Sequence, residues 1–155
     1  MNSSNKKTRV IARNRRARFD FTVEKKFEAG ISLEGWEVKS LREGKANLTD
    51  AYVRMQDGEA ILVGLRIEPL LSASTHVVAE PRRPKKLLLH AYELGQIYSS
   101  VQNRGRTCVV LSIYWKNQRV KCEIGLALGR KKYDKRQVLR EREVQREKER
   151  QLRES

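Results

Sequence analysis

The sequence predicts a mainly β protein in which about six antiparallel strands close, fully or partly, into a barrel with two or three short helices. Three observations lead to this prediction. Apolar and polar residues alternate with a period of two through much of residues 19–128. Asp57-Gly58 divides two such segments, as the tight turn of a hairpin would. Basic residues concentrate at both ends of the chain, outside the alternating region.

The predicted elements follow this alternation in order along the chain. Strands are expected over residues 19–24, 27–33, 51–55, 61–67, 107–115 and 119–128. The last of these strands has one apolar face, formed by Val120, Cys122, Ile124, Leu126 and Leu128. Short helices are expected near Val38–Glu43 and Glu93–Val101. This set of elements fits an OB-like antiparallel barrel.

The charge distribution divides the chain into three parts. The whole chain carries a net charge of +15, residues 1–18 hold seven basic residues and no acid, and residues 129–155 hold eleven basic and six acidic residues. We therefore predict a basic N-terminal arm over residues 1–18, a barrel over 19–128 and a basic tail over 129–155. Such a charge favours a polyanionic partner, because each neutralised phosphate releases condensed counterions. Ribosomal RNA, free RNA, DNA and an anionic membrane surface all fit it.

The sequence lacks the features of membrane-spanning and secreted proteins. No apolar run approaches the roughly 20 residues that a membrane span needs. The N-terminus has no apolar stretch of the signal-peptide kind. Two cysteines are too few for a disulfide scaffold and suit a reducing compartment. We therefore expect a cytoplasmic protein with no membrane partner.

The sequence also lacks the motifs of a metal site or an active site. The two histidines and two cysteines show no metal-ligand spacing, and no glycine-rich phosphate loop or nucleophile motif is present. A hairpin turning at Asn117-Gln118 would place Cys108 opposite Ala127 and Cys122 opposite Ile113, so two buried strand cysteines are expected. We predict no metal, no cofactor and no catalytic residue.

The tail from residue 134 onward contains no glycine or proline and is rich in good helix formers. Its aliphatic residues, Val138, Leu139, Val144 and Leu152, do not form a stripe that would bury a helix against the barrel. Two interpretations follow. The tail is either a solvated, frayed segment or a segment that becomes helical against RNA.

A series of motifs follows in order along the chain, over roughly residues 9–137. They are Asn14-Arg15-Arg16-Ala17-Arg18, Phe27-Glu28-Ala29-Gly30, Gly35-Trp36-Glu37-Val38-Lys39-Ser40-Leu41-Arg42, Gly44-Lys45-Ala46-Asn47-Leu48, Asp50-Ala51-Tyr52-Val53, Ser74-Thr75-His76, Arg83, Lys86-Leu87-Leu88-Leu89, Tyr114-Trp115-Lys116-Asn117, Gly129-Arg130-Lys131 and Asp134-Lys135-Arg136. This ordered series is specific, and it resembles the SsrA-binding protein (small protein B) family, the tmRNA partners of bacterial trans-translation.

The resemblance implies an RNA-binding protein that is not an enzyme. Its OB-like barrel would bind the tRNA-like domain of tmRNA and deliver it to stalled ribosomes. Its tail, disordered or helical when ribosome-bound, would act in the decoding site and the vacant mRNA channel of the small subunit. Elongation factor Tu with GTP would be a partner through alanyl-tmRNA.

The resemblance also assigns roles to particular residues. RNA contacts would be made by Arg15, Arg18, Glu28, Lys39, Arg42, Lys45, Leu88 and His90. Ribosome contacts of the tail would be made by Gly129, Arg130, Lys131, Tyr133, Asp134, Lys135 and Arg136. Glu28 would accept from base amino groups or 2′-hydroxyls. From the residues themselves, Glu28 could equally be an exposed charge and Leu88 a core residue.

Two other classes of protein are weighed against this one. A ribosomal or initiation-factor-like OB protein would contact rRNA constitutively and co-purify with every ribosome at high salt. A nuclease or a tRNA-modifying enzyme is disfavoured by the missing metal and nucleotide motifs.

Overall fold

The computed structural model describes residues 8–70, 78–129 and 132–154, and the side chains of these residues except for 132–138 and 154. The strands are β1 (Thr8–Arg13), β2 (Phe21–Ile31), β3 (Ala46–Asn47), β4 (Tyr52–Gln56), β5 (Glu59–Val63), β6 (Arg66–Ile67), β7 (Lys85–Leu88), β8 (Thr107–Lys116) and β9 (Arg119–Gly129). The helices are α1 (Arg15–Asp20), α2 (Gly35–Arg42), α3 (Ala91–Asn103) and α4 (Lys132–Glu154).

Six strands form a closed antiparallel ring in the order β8-β4-β5-β7-β2-β9, with β9 pairing again with β8. Strand β1 pairs with β8 outside this ring, and β3 pairs with β6 in a separate two-stranded sheet. The predicted fold class, a mainly β barrel of about six strands, is therefore confirmed. The helices α2 and α3 confirm the two short helices expected within the barrel.

Both predicted hairpin turns are present. Asp57 and Gly58 have φ angles of 51° and 75°, and Asn117 and Gln118 have φ angles of 51° and 68°. Two successive residues with positive φ make a turn whose twist matches that of the flanking strands. These turns connect β4 to β5 and β8 to β9.

The prediction of two separate strands between residues 19 and 33 is wrong. Phe19 belongs to α1, which begins after Asn14, whose side-chain oxygen accepts a hydrogen bond from the amide of Ala17 at 3.1 Å. The remaining residues form the single strand β2, whose pairing with β9 shifts between Val23 and Lys25. This β-bulge turns Val23 to one face of the sheet and Phe27 to the other.

A second irregularity, in β8, changes the predicted register by one residue. Cys122 lies opposite Ile113 as expected, but Cys108 lies opposite Leu126 instead of Ala127, because the pairing of β8 with β9 shifts between Val110 and Ser112. Both cysteines are buried and free, which confirms the expected strand cysteines. Burial raises the pKa of the Cys108 thiol to about 12, so this thiol stays protonated at neutral pH.

The bulges give the sheet two apolar clusters. The main core fills the ring and includes Cys122 and Ile124, whereas a smaller cluster on the other face contains Leu111 and Ala127, with Val23 packed against it. Gly125 lies under this smaller cluster. A methyl group at Gly125 would lie 2.8 Å from Cγ1 of Val23, so close packing there requires glycine.

A buried group of charges connects β7 to α2. The side chains of Lys85 and Glu37 are fully buried, and their Nζ and Oε2 atoms lie 3.1 Å apart. Arg83 donates to Oε1 of Glu37 at 2.6 Å. Burial would raise the pKa of Glu37, but the Arg83 hydrogen bond and the Lys85 charge hold it below its usual range. The network fixes the start of β7, and so the position of the residues that follow it.

The ends of the chain differ in how they contact the barrel. Residues 8–18 lie against it, since β1 pairs with β8 and Ala17 of α1 is buried. Helix α4 has no buried side chain over residues 139–153, and Leu139 and Val144 are each about half exposed. The described part of the tail therefore exposes its aliphatic side chains instead of packing them on the barrel.

Candidate nucleic-acid interface

The carboxylate of Glu28 lies on the outer face of β2, where two side chains of β8 reach it. The hydroxyl of Tyr114 donates to Oε2 of Glu28 at 2.5 Å, and Nζ of Lys116 lies 3.2 Å from Oε1. The Glu28 side chain nevertheless stays 41 % exposed. Because a carboxylate has about four acceptor positions, Glu28 can still accept hydrogen bonds from a ligand.

The surroundings of Glu28 favour its ionised form. Partial burial would raise its pKa, but the hydrogen bonds from Tyr114 and Lys116 and the nearby charges of Lys116 and Lys121 outweigh burial and lower the pKa. Conversely, burial and the Glu28 carboxylate raise the pKa of the Tyr114 hydroxyl. Glu28 is therefore an acceptor, and Tyr114 a donor, throughout the physiological pH range.

Glu28, Leu88 and His90 line a single groove of about 590 Å³, although they come from separate parts of the sequence. The groove lies where β2 pairs with β7 and where α3 begins. Its lining combines apolar, acidic and basic side chains: Glu28, Gly30, Gly58, Glu59, Lys86, Leu87, Leu88, Leu89, His90, Glu93, Leu94 and Lys121. The structure thus brings together three of the residues that the resemblance implicates in RNA binding.

Leu88 is on the surface of this groove. Its side chain is 55 % exposed, so the alternative that Leu88 is a core residue is wrong. Strand β7 has one lysine and one leucine on each face, because Lys85 and Leu87 point inward and Lys86 and Leu88 point outward. Leu88 lies opposite Gly30 on β2, and a methyl group at Gly30 would lie 3.3 Å from Cβ of Leu88. The glycine therefore leaves the leucine side chain free to face the groove.

His90 lies between β7, which ends at Leu88, and α3, of which it is the N-cap residue. Its backbone amide donates to the carboxylate of Glu93 at 3.0 Å, and its carbonyl accepts from the amide of Leu94. These two bonds hold the backbone of His90 at the start of the helix. The imidazole stacks on the ring of Tyr92, with ring centroids 5.6 Å apart and an interplanar angle of 7°.

The predicted basic residues occupy two regions of the surface. Arg18 on α1 lies 4.0 Å from Glu123, which is opposite Glu28 in the pairing of β2 with β9, and Arg15 begins the same helix. Lys39, Arg42 and Lys45 are exposed on and just after α2, and none of them lines the groove. All five are exposed cations available to phosphates.

The predicted ribosome-contacting residues lie mainly beyond the barrel. Gly129 ends β9, opposite Phe21. Arg130 and Lys131 lie outside the described residues, and helix α4 includes Tyr133, Asp134, Lys135 and Arg136. Their roles on the ribosome stay predictions.

Sequence reasoning missed Tyr114, Lys116 and Lys121 as neighbours of Glu28. Their side chains share its face of the sheet only because of the register of β8, β9 and β2. The available signal was the alternation in β8, where Ile113 and Trp115 belong to the core and Tyr114 lies between them.

The described residues lack the features of two other classes of site. Among those residues, no group of three or more histidine, cysteine, aspartate or glutamate side chains is arranged to hold a metal ion. Within the same part of the chain, no helix has the length and hydropathy needed to cross a membrane.

The closed barrel, the excess of cations and the exposed groove lined by the Glu28 acceptor and the His90 ring define a basic, nucleic-acid-binding barrel protein. The family model described as SmpB protein matches residues 11–154, and the chain belongs to this family of RNA-binding proteins, which are not enzymes. The family predicted from the motifs is thereby confirmed.

Known relatives are similar over almost their whole length. The chain is 56 % identical to the SsrA-binding protein of Azotobacter vinelandii over 92 % of this chain and 89 % of that protein. It is 54 % identical to the SsrA-binding protein of Alcanivorax borkumensis over 99 % of each. The chain also resembles a solved structure described as "tmRNA-SmpB: a journey to the center of the bacterial ribosome". The two superpose with a TM-score of 0.64 and 43 % identity, over 78 % of this chain and 85 % of that chain.

Proposed function

We propose that this protein binds the tRNA-like domain of tmRNA through the groove around Glu28 and delivers it to stalled ribosomes for trans-translation. Binding to tmRNA and to the ribosome is the function of the family to which the chain belongs. The observation that supports the location of the site is the meeting of Glu28, Leu88 and His90 in one groove.

The chemistry of the groove suits structured RNA. The ionised Glu28 can accept from a base amino group or a 2′-hydroxyl, which cationic side chains cannot do. Leu88 offers exposed apolar surface to a base or ribose, and Lys121 on the same groove is available to phosphates, as is Lys86 once it exchanges its exposed ion pair with Glu59 for a phosphate. The exposed cations on α1 and α2 would extend the contact along the phosphate backbone.

The tail and the remaining partners complete the proposal. Residues 129–155 would act in the decoding site and the vacant mRNA channel, with the residues from Gly129 to Arg136 contacting rRNA. The barrel of residues 19–128 and the basic residues of 1–18 would stay with tmRNA. Elongation factor Tu with GTP would join through alanyl-tmRNA, and the whole process would take place in the cytoplasm.

Binding assays with two exposed leucines test the location of the site. Leu88 lines the groove, whereas Leu128 is also exposed, at 39 %, but does not line it. We expect Leu88→Ala to weaken tmRNA binding and Leu128→Ala to leave it unchanged, in gel shifts with full-length protein and transcribed tmRNA. Equal effects of the two substitutions would place the RNA elsewhere. Equal affinity of the wild-type protein for tmRNA and for unrelated RNA of the same length would contradict the proposed function.

A further inference from the structure

The stacked rings of His90 and Tyr92 form an exposed aromatic surface at the edge of the groove. Their planes are within 7° of parallel, which is the arrangement of an offset stack. The Tyr92 side chain is 68 % exposed, and His90 is exposed as well. Aromatic rings gain most from burial, so a stacked pair left in solvent offers a face to a ligand.

The backbone that carries these rings is ordered before any ligand binds. His90 is held at the start of α3 by the hydrogen bond that its backbone amide donates to the Glu93 carboxylate and by the one that its carbonyl accepts from the amide of Leu94. The stack restricts the ring of Tyr92 in turn. A surface ordered in advance loses little conformational entropy on binding, which raises its affinity for a flat ligand.

The groove next to the rings indicates what kind of ligand they would take. Lys86 and Lys121 offer positive charge, and Glu28 offers an ionised acceptor for amino and hydroxyl groups. A nucleotide carries all three complementary parts, namely a flat base, a phosphate, and donors on the base edge and the ribose. A base within a duplex hides its faces in the stack, so only an unpaired base can lie on an aromatic side chain.

We propose that the His90–Tyr92 pair is a stacking platform for an unpaired nucleobase of the bound RNA, with Tyr92 as the ring that the base covers. The inference rests on the proposed function and adds Tyr92 to the residues that contact RNA. Stacking on an aromatic side chain accepts any base, so the platform strengthens binding to a structured RNA with an extruded base without reading its sequence.

Substitutions of two tyrosines on one helix test the platform. Tyr92 and Tyr98 are both on α3, both more than half exposed and both outside the groove lining. Tyr92, however, stacks on His90, which lines the groove, whereas Tyr98 lies six residues further along the helix. We expect Tyr92→Ala and Tyr92→Leu to weaken tmRNA binding between about fivefold and about a hundredfold, as loss of one base–aromatic stack does. Tyr92→Phe keeps the ring and should bind like the wild type, as should the control Tyr98→Ala.

Salt titration and thermal melting separate the platform from other roles of Tyr92. Loss of a stack leaves the slope of log K against log salt unchanged, whereas loss of a phosphate contact reduces it by roughly 1. A changed slope, a weakened Tyr92→Phe variant, or a lowered melting temperature that accounts for the lost affinity would overturn the platform. Wild-type affinity of Tyr92→Ala would overturn it too, while leaving the proposed function intact. Failure of the wild type to prefer tmRNA would instead contradict the function itself.

Discussion

The hydroxyl of Tyr114 on β8 donates to the carboxylate of Glu28 on β2 at 2.5 Å, although β9 lies between the two strands. The bond therefore bridges the outer face of a three-strand segment of the ring. It holds the Glu28 carboxylate in one orientation and keeps it ionised. A fixed, ionised acceptor loses little entropy when it binds a donor on RNA.

Substitution of Glu28 separates its contact with RNA from its contacts within the barrel. We expect Glu28→Ala to weaken tmRNA binding by about 1.5–3 kcal/mol, the usual value of a hydrogen bond to a charged group. The variant leaves the Tyr114 hydroxyl without its acceptor, so the double variant Glu28→Ala/Tyr114→Phe should recover melting temperature but not affinity. A lowered melting temperature with unchanged affinity of the folded protein would show that Glu28 is a structural ion-pair partner.

The buried pair of Glu37 and Lys85 should dominate the effect of charge on stability. Glu37→Gln leaves the buried Lys85 ammonium without its anion, and breaking such a pair costs about 3–5 kcal/mol of unfolding free energy. The neighbouring pair of Glu59 and Lys86 is about half exposed, so Glu59→Gln should cost only about 0–1 kcal/mol. Urea denaturation of both variants makes the comparison, and similar losses would contradict it.

The same pair predicts how stability depends on pH. The pKa of Glu37 is lower in the folded chain than in the unfolded one. Its contribution is therefore fully present above the unfolded pKa of about 4.3 and is lost as pH falls through the lower folded pKa. The wild type should lose stability in this acid range, and Glu37→Gln should lack that part of the loss. Denaturation curves between neutral pH and pH 3 test this, and parallel pH profiles would refute it.

Removal of the tail should separate binding from tagging. β9 ends at Gly129, so a chain that ends there keeps the whole ring, and no described side chain of residues 139–153 is buried. We expect this truncated protein to bind tmRNA in gel shifts and to fail in a reconstituted tagging assay. Loss of tmRNA affinity with the barrel still folded would show that the tail contributes to the RNA site.

The helical state of the tail should be required on the ribosome and dispensable for tmRNA binding. Val144 lies in the middle of α4 and is half exposed, so Val144→Pro breaks the helix, at a cost of about 3 kcal/mol or more, without disturbing the barrel. Val144→Ala is the matched control. We expect normal tmRNA binding from both and tagging only from the alanine variant. Replacing Lys135 and Arg136 by alanine should also cripple tagging, through lost rRNA contacts.

Amide exchange on the free protein tests whether the tail orders conditionally. A helix without a buried face is marginal in water, so we expect weak protection over residues 134–153 until the ribosome binds. Strong protection in the free protein, or normal tagging by Val144→Pro, would show that the helix does not report an empty mRNA channel.

The sequence predicted the barrel well because alternation and turn residues are local signals. Asp57-Gly58 and the hairpin at Asn117-Gln118 are determined by neighbouring residues. The bulges in β2 and β8 are not, since an extra residue in a strand is specified by the partner strand and by the packing of Gly125 under Val23. One shifted residue then changed the partner of Cys108.

The site was only partly predictable for a related reason. Lys85 and Lys86 are adjacent and chemically identical, yet one is fully buried against Glu37 and the other is half exposed beside Glu59. Composition does not distinguish the two lysines. The pairing of β7 with its neighbouring strands does, because it decides which of the two side chains faces inward. Likewise, the sequence allows Leu88 to be a core residue, whereas the alternation of β7 turns Leu87 inward and Leu88 outward.

Strand β1 pairs with β8 on one side, and among the described residues no strand pairs with its other side. Each strand of the closed ring, in contrast, is paired on both sides, so β1 provides the exposed edge of the sheet. Such an edge invites pairing between molecules, which leads to aggregation. Here the edge strand is short, and exposed Arg9 and Arg13 lie near its two ends. Like charges on two approaching copies would repel each other, so the strand resists self-association. The positive charge that favours a polyanionic partner therefore has a second effect, since it opposes edge-to-edge pairing of two copies, and replacing Arg9 and Arg13 by uncharged residues would weaken that opposition.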